Sequence, residues 1–335
     1  MPAIESNADL PELINHEAKQ KAWAKRLVTK CLSCAPKAEV GQPPIQGFFS
    51  RTLFLTLTDG REVAVQFRTE PLGLESFQEA RRVLGSCVPE VQHLADEELE
   101  KAGVWAYYAT RMPGQIWLRA VAGKGIEGLV TVNKSLGRVF SNGFMASNSH
   151  EAVESTIRPH LDAILASPLE EILPFRERLE DYSKRLDEFA QLPLWIAHYD
   201  INEVNVLLDD KCEVTGLIDW EYSTPLPFGV GFGRVHTYAG HYSEGEFYFQ
   251  DEFEAAERGF WQELFDGMSE EVRRSLQERI HLVQDAVLLG TLLDCFYYDI
   301  PEGKVGFGEV SLRALPKLLT YRIPFVRGDD KPYRG

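Results

Sequence analysis

The pattern of apolar and polar positions predicts strands in the first third of the chain. Apolar and polar residues alternate over residues 52–58 and again over residues 62–68, as in strands with one buried face. Asp59 and Gly60 stand between the two runs, and an Asp-Gly pair is a strong signal for a tight turn. A third strand is predicted over residues 104–111. These patterns together predict an antiparallel sheet.

Helical periodicity is found on both sides of these strands. Apolar residues recur on one face through residues 1–34, which predicts an amphipathic helix, and a second helix is predicted over residues 74–84. From about Ile116 onward the pattern is mostly helical. The exceptions are three short strands, around Ile196, around Val206 and over residues 214–218.

A boundary between two parts of the chain is predicted near residue 113. A chain of 335 residues has room for one large domain or for two lobes. Pro113 and Gly114 follow the third strand, and a Pro-Gly pair is typical of a turn, interpreted here as a hinge. The prediction is an α+β fold, with a first lobe over residues 1–113 and a larger helical lobe over residues 114–335.

The charge of the chain limits the classes of partner. Lys and Arg number 35 against 51 Asp and Glu, so the net charge is −16 and neither nucleic acid nor membrane is expected as a partner. The most apolar window, residues 283–296, contains Gln284, Asp285 and Asp294, which favours a buried helix over a membrane span. The sequence shows no signal-peptide pattern, and its five cysteines are scattered, which together favour a cytoplasmic protein. A monomer or a homodimer is expected.

The most specific pattern places four polar residues in a frame of short apolar runs. His198, Asp200, Asn205 and Asp219 follow one another within a predicted catalytic loop at residues 196–221. Asp200 and Asn205 flank a tight loop, so their side chains can converge on one point, and the turn between the two short strands brings Asp219 back beside that point. Two carboxylates and a carboxamide are typical of magnesium-assisted phosphoryl transfer. One Asp orients or deprotonates a hydroxyl, while Asn and the other Asp bind the metal.

The order His-x-Asp-x-x-x-x-Asn, followed by Ile-Asp-Trp-Glu, resembles the aminoglycoside phosphotransferase and choline kinase family. The resemblance implies a bilobal protein-kinase-like fold that binds Mg²⁺ and ATP or GTP, with a small-molecule hydroxyl as acceptor. It also implies roles for the four residues. Asp200 is the catalytic base and His198 braces the loop, while Asn205 and Asp219 are the ligands of Mg²⁺.

The strand at residues 62–68 departs from the family pattern. Kinase-like proteins carry a lysine at this point to bind the α- and β-phosphates, and Gln66 stands in its place. Arg68 is two residues further along, on the same face of the strand, so its guanidinium is one replacement for the lysine. Glu75 or Glu79 of the following helix would then hold the arginine. A solvated strand end is the equally weighted interpretation of Arg68.

The remaining candidate residues rest on weaker signals. Gly47 and Ser50 precede the first strand, where the resemblance implies a loop over the phosphates, and Thr110 lies in the predicted hinge at residues 107–113 that holds the nucleotide base. Residues 244–257 combine acidic and aromatic side chains, which suits an amine-bearing acceptor, although a solvated helix face is the simpler interpretation. Three residues near the motif are candidate substrate contacts: Glu221, Arg234 and His236.

Three functional hypotheses remain open from the sequence. The leading one is phosphorylation of a hydroxyl group on a small metabolite. Gln66 also fits a pseudokinase that no longer uses ATP, or an enzyme with different chemistry in the same acidic site. Asp200, Asn205 and Asp219 argue against simple decay, because drift would erode metal ligands as well.

Overall fold

The computed structural model describes residues 4–37, 41–249, 253–299 and 302–327. Two structural units divide the chain, one over Met1–Pro113 and the other over Gly114–Gly335. Each unit combines helices with short antiparallel strand pairs, so the fold class is α+β, as predicted.

The first unit is built on a four-stranded antiparallel sheet with strand order β1-β2-β4-β3. In chain order its strands are β1 (Arg51–Thr56), β2 (Glu62–Arg68), β3 (Val91–His93) and β4 (Trp105–Thr110). Its helices are α1 (Glu17–Leu32), α2 (Glu75–Leu84) and α3 (Glu97–Lys101). Gly60 forms the predicted turn with φ of 91°, a value that favours glycine. Strand β3 was not predicted, because three residues are too few to show an alternating pattern.

Alternation along β2 sorts its side chains onto two faces. Val63, Val65 and Phe67 are buried in the hydrophobic core of the first unit, together with the apolar face of α1. Gln66 and Arg68 occupy the alternate positions, so they lie on the opposite face of the strand. Strand β2 therefore has one apolar face, which packs in the core, and one face that carries the polar residues Gln66 and Arg68.

The first helix starts later than the periodicity predicts. Helix α1 begins at Glu17, where the ring of His16 accepts a hydrogen bond from the first turn. The preceding segment instead contains a short 3-10 turn at Asn7–Asp9 with its own capping box. Leu10 and Ile14 are both buried in this turn region, so their helical spacing reflects burial without a continuous helix.

The second unit is mainly helical, with short strand pairs between the helices. Its helices are α4 (Trp117–Ala120), α5 (Gly125–Phe140), α6 (His150–Ala152), α7 (Arg158–Ala166), α8 (Arg176–Lys184), α9 (Leu186–Phe189), α10 (His236–Ala239), α11 (Glu254–Asp266), α12 (Glu270–Glu278), α13 (Ile280–Cys295), α14 (Glu309–Leu318) and α15 (Pro324–Arg327). Its strands are β5 (Gln115–Ile116), β6 (Phe144–Ala146), β7 (Leu194–Trp195), β8 (Val206–Leu208), β9 (Val214–Leu217), β10 (Leu226–Pro227), β11 (Gly240–Ser243), β12 (Glu246–Phe249), β13 (Phe296–Asp299) and β14 (Lys304–Phe307).

Helix α13 is the apolar segment that the sequence predicts as a buried helix. Most of its residues are buried, including Val283, Ala286 and Leu289. No helix within the described ranges is both long enough and apolar enough to cross a membrane. The helix instead forms the centre of the second unit, where it packs against the short 3-10 turn at Val230–Phe232 and against α14.

Helices α5 and α11 are in close contact at Gly137. A Cβ atom at Gly137 of α5 would overlap the backbone carbonyl of Phe260 in α11 and would lie 3.0 Å from the Cβ of Glu263. The nearest of these atoms belongs to helix backbone, which cannot move aside cheaply. Absence of a side chain at Gly137 therefore sets the distance between the two helices.

We expect Gly137→Ala to lower the free energy of unfolding by about 2 kcal/mol, measured by urea denaturation. Steric overlap with α11 costs about 1–3 kcal/mol and outweighs the gain in helix propensity of about 1 kcal/mol. Gly73→Ala is the control, since Gly73 lies in an exposed loop without a positive φ and its added Cβ would meet only the flexible carboxylate end of Glu75, at 3.3 Å. Equal stability of the two variants would contradict the close packing of α5 on α11.

Candidate active site

Asp200 lies in a tight loop between β7 and β8 that is held together by asparagine side chains. The Oδ1 atom of Asn202 accepts hydrogen bonds from the backbone N–H groups of Val204 and Asn205, at 2.9 and 3.2 Å. The Nδ2 atom of Asn202 donates to Oδ1 of Asp200 at 3.2 Å. Such local bonds are typical of Asn in turns. They order the loop before any ligand binds.

Asn205 and Asp200 converge, as the sequence predicts. The Nδ2 atom of Asn205 donates to the Asp200 carbonyl oxygen at 2.9 Å and to the Asp200 carboxylate Oδ2 at 3.1 Å. Because the amide nitrogen of Asn205 is turned toward Asp200, its oxygen Oδ1 is the end that faces away. That oxygen is the part of the side chain with the chemistry of a metal ligand.

Asp219 is placed by the strand pair β8–β9. The pairing continues one step beyond the strands, with the backbone N–H of Ile218 donating to the carbonyl of Asn205 at 2.9 Å. Asp219 is the next residue, and its φ of 67° lies in the left-handed region that Asp tolerates better than most residues. Backbone strain of this kind is concentrated at functional sites.

The donor atoms of Asn205 and Asp219 fit a magnesium ion. Both side chains offer hard oxygen atoms, a carboxamide oxygen and a carboxylate, which Mg²⁺ prefers. Within the described ranges, no three side chains of His, Cys, Asp or Glu are grouped so as to hold a metal. Mg²⁺ does not require such a cage, because it keeps several waters and is bound through one or two carboxylates plus substrate phosphates.

His198 ties the loop to the segment that carries Asp219. Its ring is buried, and Nε2 lies 2.7 Å from the carbonyl oxygen of Ile218. A carbonyl can only accept, so Nε2 carries the proton and donates it. The ring also packs against that of Trp220, with centroids 4.5 Å apart. Burial lowers the pKa of His198 to about 4, so the ring is neutral at physiological pH.

Arg234 joins two carboxylates in one ion-paired chain. Its Nη1 donates to Oδ1 of Asp200 at 2.7 Å, and its Nε donates to Oδ1 of Asp294 at 2.9 Å. Burial raises the pKa of Asp294, although Arg234 opposes the shift. Burial alone would lower the pKa of Arg234, but Asp294 and Asp200 more than offset it and raise it.

Asp294 is a site residue that the sequence reasoning missed. It lies in the last turn of α13, far beyond the motif in sequence, and no local pattern connects it with Asp200. The signal was nevertheless present. A carboxylate in the most apolar window of a chain needs a partner, because burying an unpaired charge is costly.

His236 lies beside this ion-paired chain. Burial, followed by the charge of Arg234, lowers the pKa of His236 to about 3, so its ring is neutral. The ring contacts that of Tyr242 in strand β11, with centroids 5.3 Å apart. Burial raises the pKa of Tyr242 to about 12 and raises the pKa of Tyr199 as well. The ion-paired chain therefore lies beside the neutral side chains of His236, Tyr242 and Tyr199.

The remaining substrate candidates are Glu221 and the acidic, aromatic segment at residues 244–257. Glu221 is partly exposed two residues after Asp219. The acidic and aromatic segment folds as the β11–β12 hairpin and the start of α11, and Asp251 and Glu252 lie outside the described residues. Glu254 of that segment pairs with Arg258 of its own helix at 3.1 Å. The segment is therefore only in part the helix face that the sequence suggested.

Among the nucleotide candidates, Gln66 and Arg68 share the polar face of β2. Gln66 is half-buried, with Nε2 at 3.5 Å from the hydroxyl of Thr52. Arg68 is only 5 % exposed, which contradicts the interpretation of a solvated strand end. The carboxylate of Glu79 pairs with Arg82 of its own helix at 2.5 Å, a different arginine from the one the sequence suggested.

Arg51 holds the segment before the first strand. Its Nη1 donates to the carbonyls of Gly47 and Ser50 at 3.3 and 3.1 Å, and its Nη2 donates to the carbonyl of Ile4 at 2.9 Å. Ser50 is buried and Gly47 is exposed. Thr110, at the end of β4, donates its backbone N–H to Glu90 at 2.9 Å. The loop with a single glycine is thus ordered by an arginine that the sequence reasoning missed.

The model of a phosphotransferase enzyme family, APH, matches residues 41–267. No curated protein sequence matches the chain significantly.

Three solved structures are similar to this chain at low sequence identity. An ethanolamine kinase of Plasmodium vivax is 12% identical with a TM-score of 0.53, covering 93% of this chain and 90% of that one. A thermostable mutant of the aminoglycoside phosphotransferase APH(4)-Ia, in complex with AMP-PNP and hygromycin B, is 12% identical with a TM-score of 0.53, covering 89% of this chain and 97% of that one. A macrolide 2′-phosphotransferase of Brachybacterium faecium is 16% identical with a TM-score of 0.51, covering 94% and 100%. These similarities confirm the predicted protein-kinase-like fold.

We expect the buried neutral ring of His198 to make the protein less stable in acid. The folded pKa of about 4 lies below the ordinary value of 6.5, so between these pH values the unfolded state binds one more proton. Stability contributed by His198 is therefore lost as pH falls from 6.5 to 4, at up to about 1.4 kcal/mol per pH unit. Urea unfolding across this range should show a shallower slope for His198→Gln, whose longer amide can still donate to the Ile218 carbonyl. His281→Gln, at an exposed position, is the control substitution. A wild-type slope in His198→Gln would contradict the neutral buried ring.

Proposed function

The chain belongs to the phosphotransferase enzyme family, and on that premise we propose that it transfers the γ-phosphoryl group of ATP or GTP to a hydroxyl of a small molecule. The observation that carries the proposal is the convergence of Asn205 on the Asp200 carboxylate, with Asp219 placed by the adjoining strand pair. These are the residue types that a metal-assisted phosphoryl transfer uses.

Asp200 is proposed to orient the acceptor hydroxyl and take its proton. A carboxylate has about four acceptor positions, and three are occupied by Arg234, Asn202 and Asn205. The first two donate to Oδ1 and the third to Oδ2, which leaves Oδ2 for a further donor. The Asp200 side chain is 39% exposed, so a hydroxyl can reach it. Because the transition state is loose, orientation matters as much as basicity.

Asn205 and Asp219 would hold Mg²⁺ through the carboxamide Oδ1 and the carboxylate. When bound, the ion neutralises charge on the phosphate oxygens. The backbone bond between Ile218 and Asn205 keeps the two ligand-bearing residues next to each other, and His198 holds the same segment from the other side. The chain itself therefore contributes two oxygen-bearing side chains from neighbouring segments of backbone.

Arg68 is proposed to supply the positive charge that the missing lysine would otherwise supply. It shares the polar face of β2 with Gln66, at the strand where the lysine is expected, and its side chain is buried. A guanidinium remains charged and binds phosphate oxygens bidentately, so it can replace an ammonium as a phosphate ligand. Gln66 can add a neutral hydrogen bond.

The acceptor is proposed at the level of a hydroxyl-bearing small molecule. The three similar structures are named for an ethanolamine kinase, an aminoglycoside phosphotransferase and a macrolide phosphotransferase, so their names share only a small-molecule acceptor. The neutral rings of His236 and Tyr242, which lie next to the charged Arg234, fit a ligand with apolar as well as polar surface.

We expect calorimetric titration to show magnesium-dependent binding of ATP or GTP that is lost in Asp219→Ala. Removing the carboxylate removes one of two ligands for the ion that neutralises the phosphates. Asp210→Ala is the matched control, because Asp210 is an exposed residue of the turn between β8 and β9. No binding of either nucleotide at millimolar concentration by the folded wild type would overturn the proposed function. Binding without turnover across a panel of hydroxyl-bearing acceptors would favour a pseudokinase.

We expect Arg68→Met to weaken binding of the magnesium nucleotide about tenfold or more in the same titration. A charge-assisted hydrogen bond contributes about 1.5–3 kcal/mol, and 1.4 kcal/mol corresponds to tenfold in affinity. Arg61→Met is the control within the same unit, since Arg61 is exposed and pairs with Asp59 in the turn before β2. Equal affinities of the two variants would show that Arg68 does not contact the phosphates.

A further inference from the structure

We propose that Arg234, anchored by Asp294, is a positioning residue that holds the Asp200 carboxylate in the orientation required for phosphoryl transfer. The inference rests on the proposed function and adds to it a pair of residues, one of them from a distant helix. It assigns to Arg234 a role different from the substrate contact that the sequence suggested.

The donors to Asp200 differ in where they come from. Asn202 and Asn205 belong to the same loop as Asp200, so they move with it. Of the three side chains that donate to this carboxylate in the described part of the chain, Arg234 alone comes from outside the loop. The terminal torsion of Asp is soft, so donors must set its orientation. Arg234 is therefore the contact that orients the carboxylate relative to the rest of the second unit.

Asp294 determines where the guanidinium points. The nitrogens of a guanidinium lie in one plane at fixed angles, so fixing Nε on Asp294 also directs Nη1 toward Asp200. A largely buried guanidinium also needs a compensating negative charge. Asp294 provides one, in addition to the charge of Asp200. A lysine has a single nitrogen and cannot make both contacts with this fixed geometry.

The backbone before Arg234 is fastened to the same helix that carries Asp294. A Cβ at Gly233 would overlap the backbone of Gly290 in α13, so the two glycines allow direct backbone contact. The hydroxyl of Thr291 donates to the carbonyl of Gly233 at 2.8 Å. Thr291 is three residues before Asp294 on α13, about one turn away. Both ends of the arginine, its backbone and its Nε, are therefore set by one rigid helix.

Such positioning matters because phosphoryl transfer depends on alignment. A displacement of about 1 Å in a reacting group can lower the rate on the order of a hundredfold. The Asp200 side chain is 39% exposed, so water can compete for its oxygens when the arginine is removed. Loss of Arg234 should therefore lower turnover while leaving the nucleotide ligands in place.

The test compares Arg234→Met with Arg185→Met. Arg185 is a matched control, since its side chain is 28% exposed against 25% for Arg234 and it also bridges carboxylates, Glu188 at 3.1 Å and Asp285 of α13 at 2.9 Å. Two quantities are measured. The first is amide hydrogen exchange of the loop at residues 199–205, and the second is turnover of magnesium nucleotide with an acceptor.

We expect Arg234→Met to accelerate exchange selectively in this loop and to lower kcat by about ten- to a hundredfold, with the KM for nucleotide within about twofold. Arg234→Lys should recover only part of kcat. Arg185→Met should lower stability without either selective change. Arg234→Met combined with Asp294→Asn is a second variant that leaves no buried charge uncompensated, and it should show the same loop exchange and the same fall in kcat.

The possible outcomes test the positioning role of Arg234 separately from the proposed function. Wild-type loop exchange and wild-type kcat in Arg234→Met would overturn the positioning role, while turnover by the wild type would uphold the proposed function. The positioning role would also be overturned if hydrogen exchange rose equally throughout the chain in both arginine variants. If the wild type shows no turnover, the proposed function fails, and hydrogen exchange of the loop then tests by itself whether Arg234 orients Asp200. Selective acceleration upholds the orientation of Asp200 by Arg234, and unchanged exchange overturns it.

Discussion

The candidate active site depends on the hydrogen bonding of one residue that has no reactive side chain, Ile218. Its backbone N–H donates to Asn205, and its carbonyl accepts from the ring of His198. Both polar groups of this peptide segment are therefore satisfied inside the protein. The first bond sets the spacing of the two metal-ligand candidates, and the second sets the loop that carries Asp200. An apolar side chain at this point suits the role, because it does not compete for these bonds.

Local sequence patterns predicted the parts of the fold that depend on local interactions. The alternation over Glu62–Arg68 gave strand β2 with the bounds observed, because one face of the strand is buried in the core. The spacing of Asp200 and Asn205 predicted a tight loop in which their two side chains converge, and they do. The short strand β3 and the hairpins β11–β12 and β13–β14 were not predicted, because their pairing depends on contacts that no short window contains.

Long-range contacts explain what was missed in the site. Arg234 was recognised only by its nearness to the motif in sequence, and its partner Asp294 was recognised only as an interruption of an apolar run. Their contact depends on packing of the Val230–Phe232 turn on α13, through two glycines that no periodicity identifies. Arg51 was missed for a similar reason. Arg51 orders its segment by donating hydrogen bonds to three backbone carbonyl groups. Every residue has such a carbonyl, so no sequence pattern identifies the ones that accept.

The left-handed backbone of Asp219 has a consequence for how this position can vary over evolutionary time. A φ of 67° is tolerated by Asp, Asn and Gly, and it is strongly disfavoured for β-branched residues. One nucleotide change in an aspartate codon can yield Asn, Gly or Val. The first two remove the charge and keep the backbone shape, whereas Val removes both. A gene copy released from selection for catalysis, but still selected for folding, would therefore be expected to drift first to Asn or Gly here, and the residue found at this position in such copies would record which requirement was relaxed.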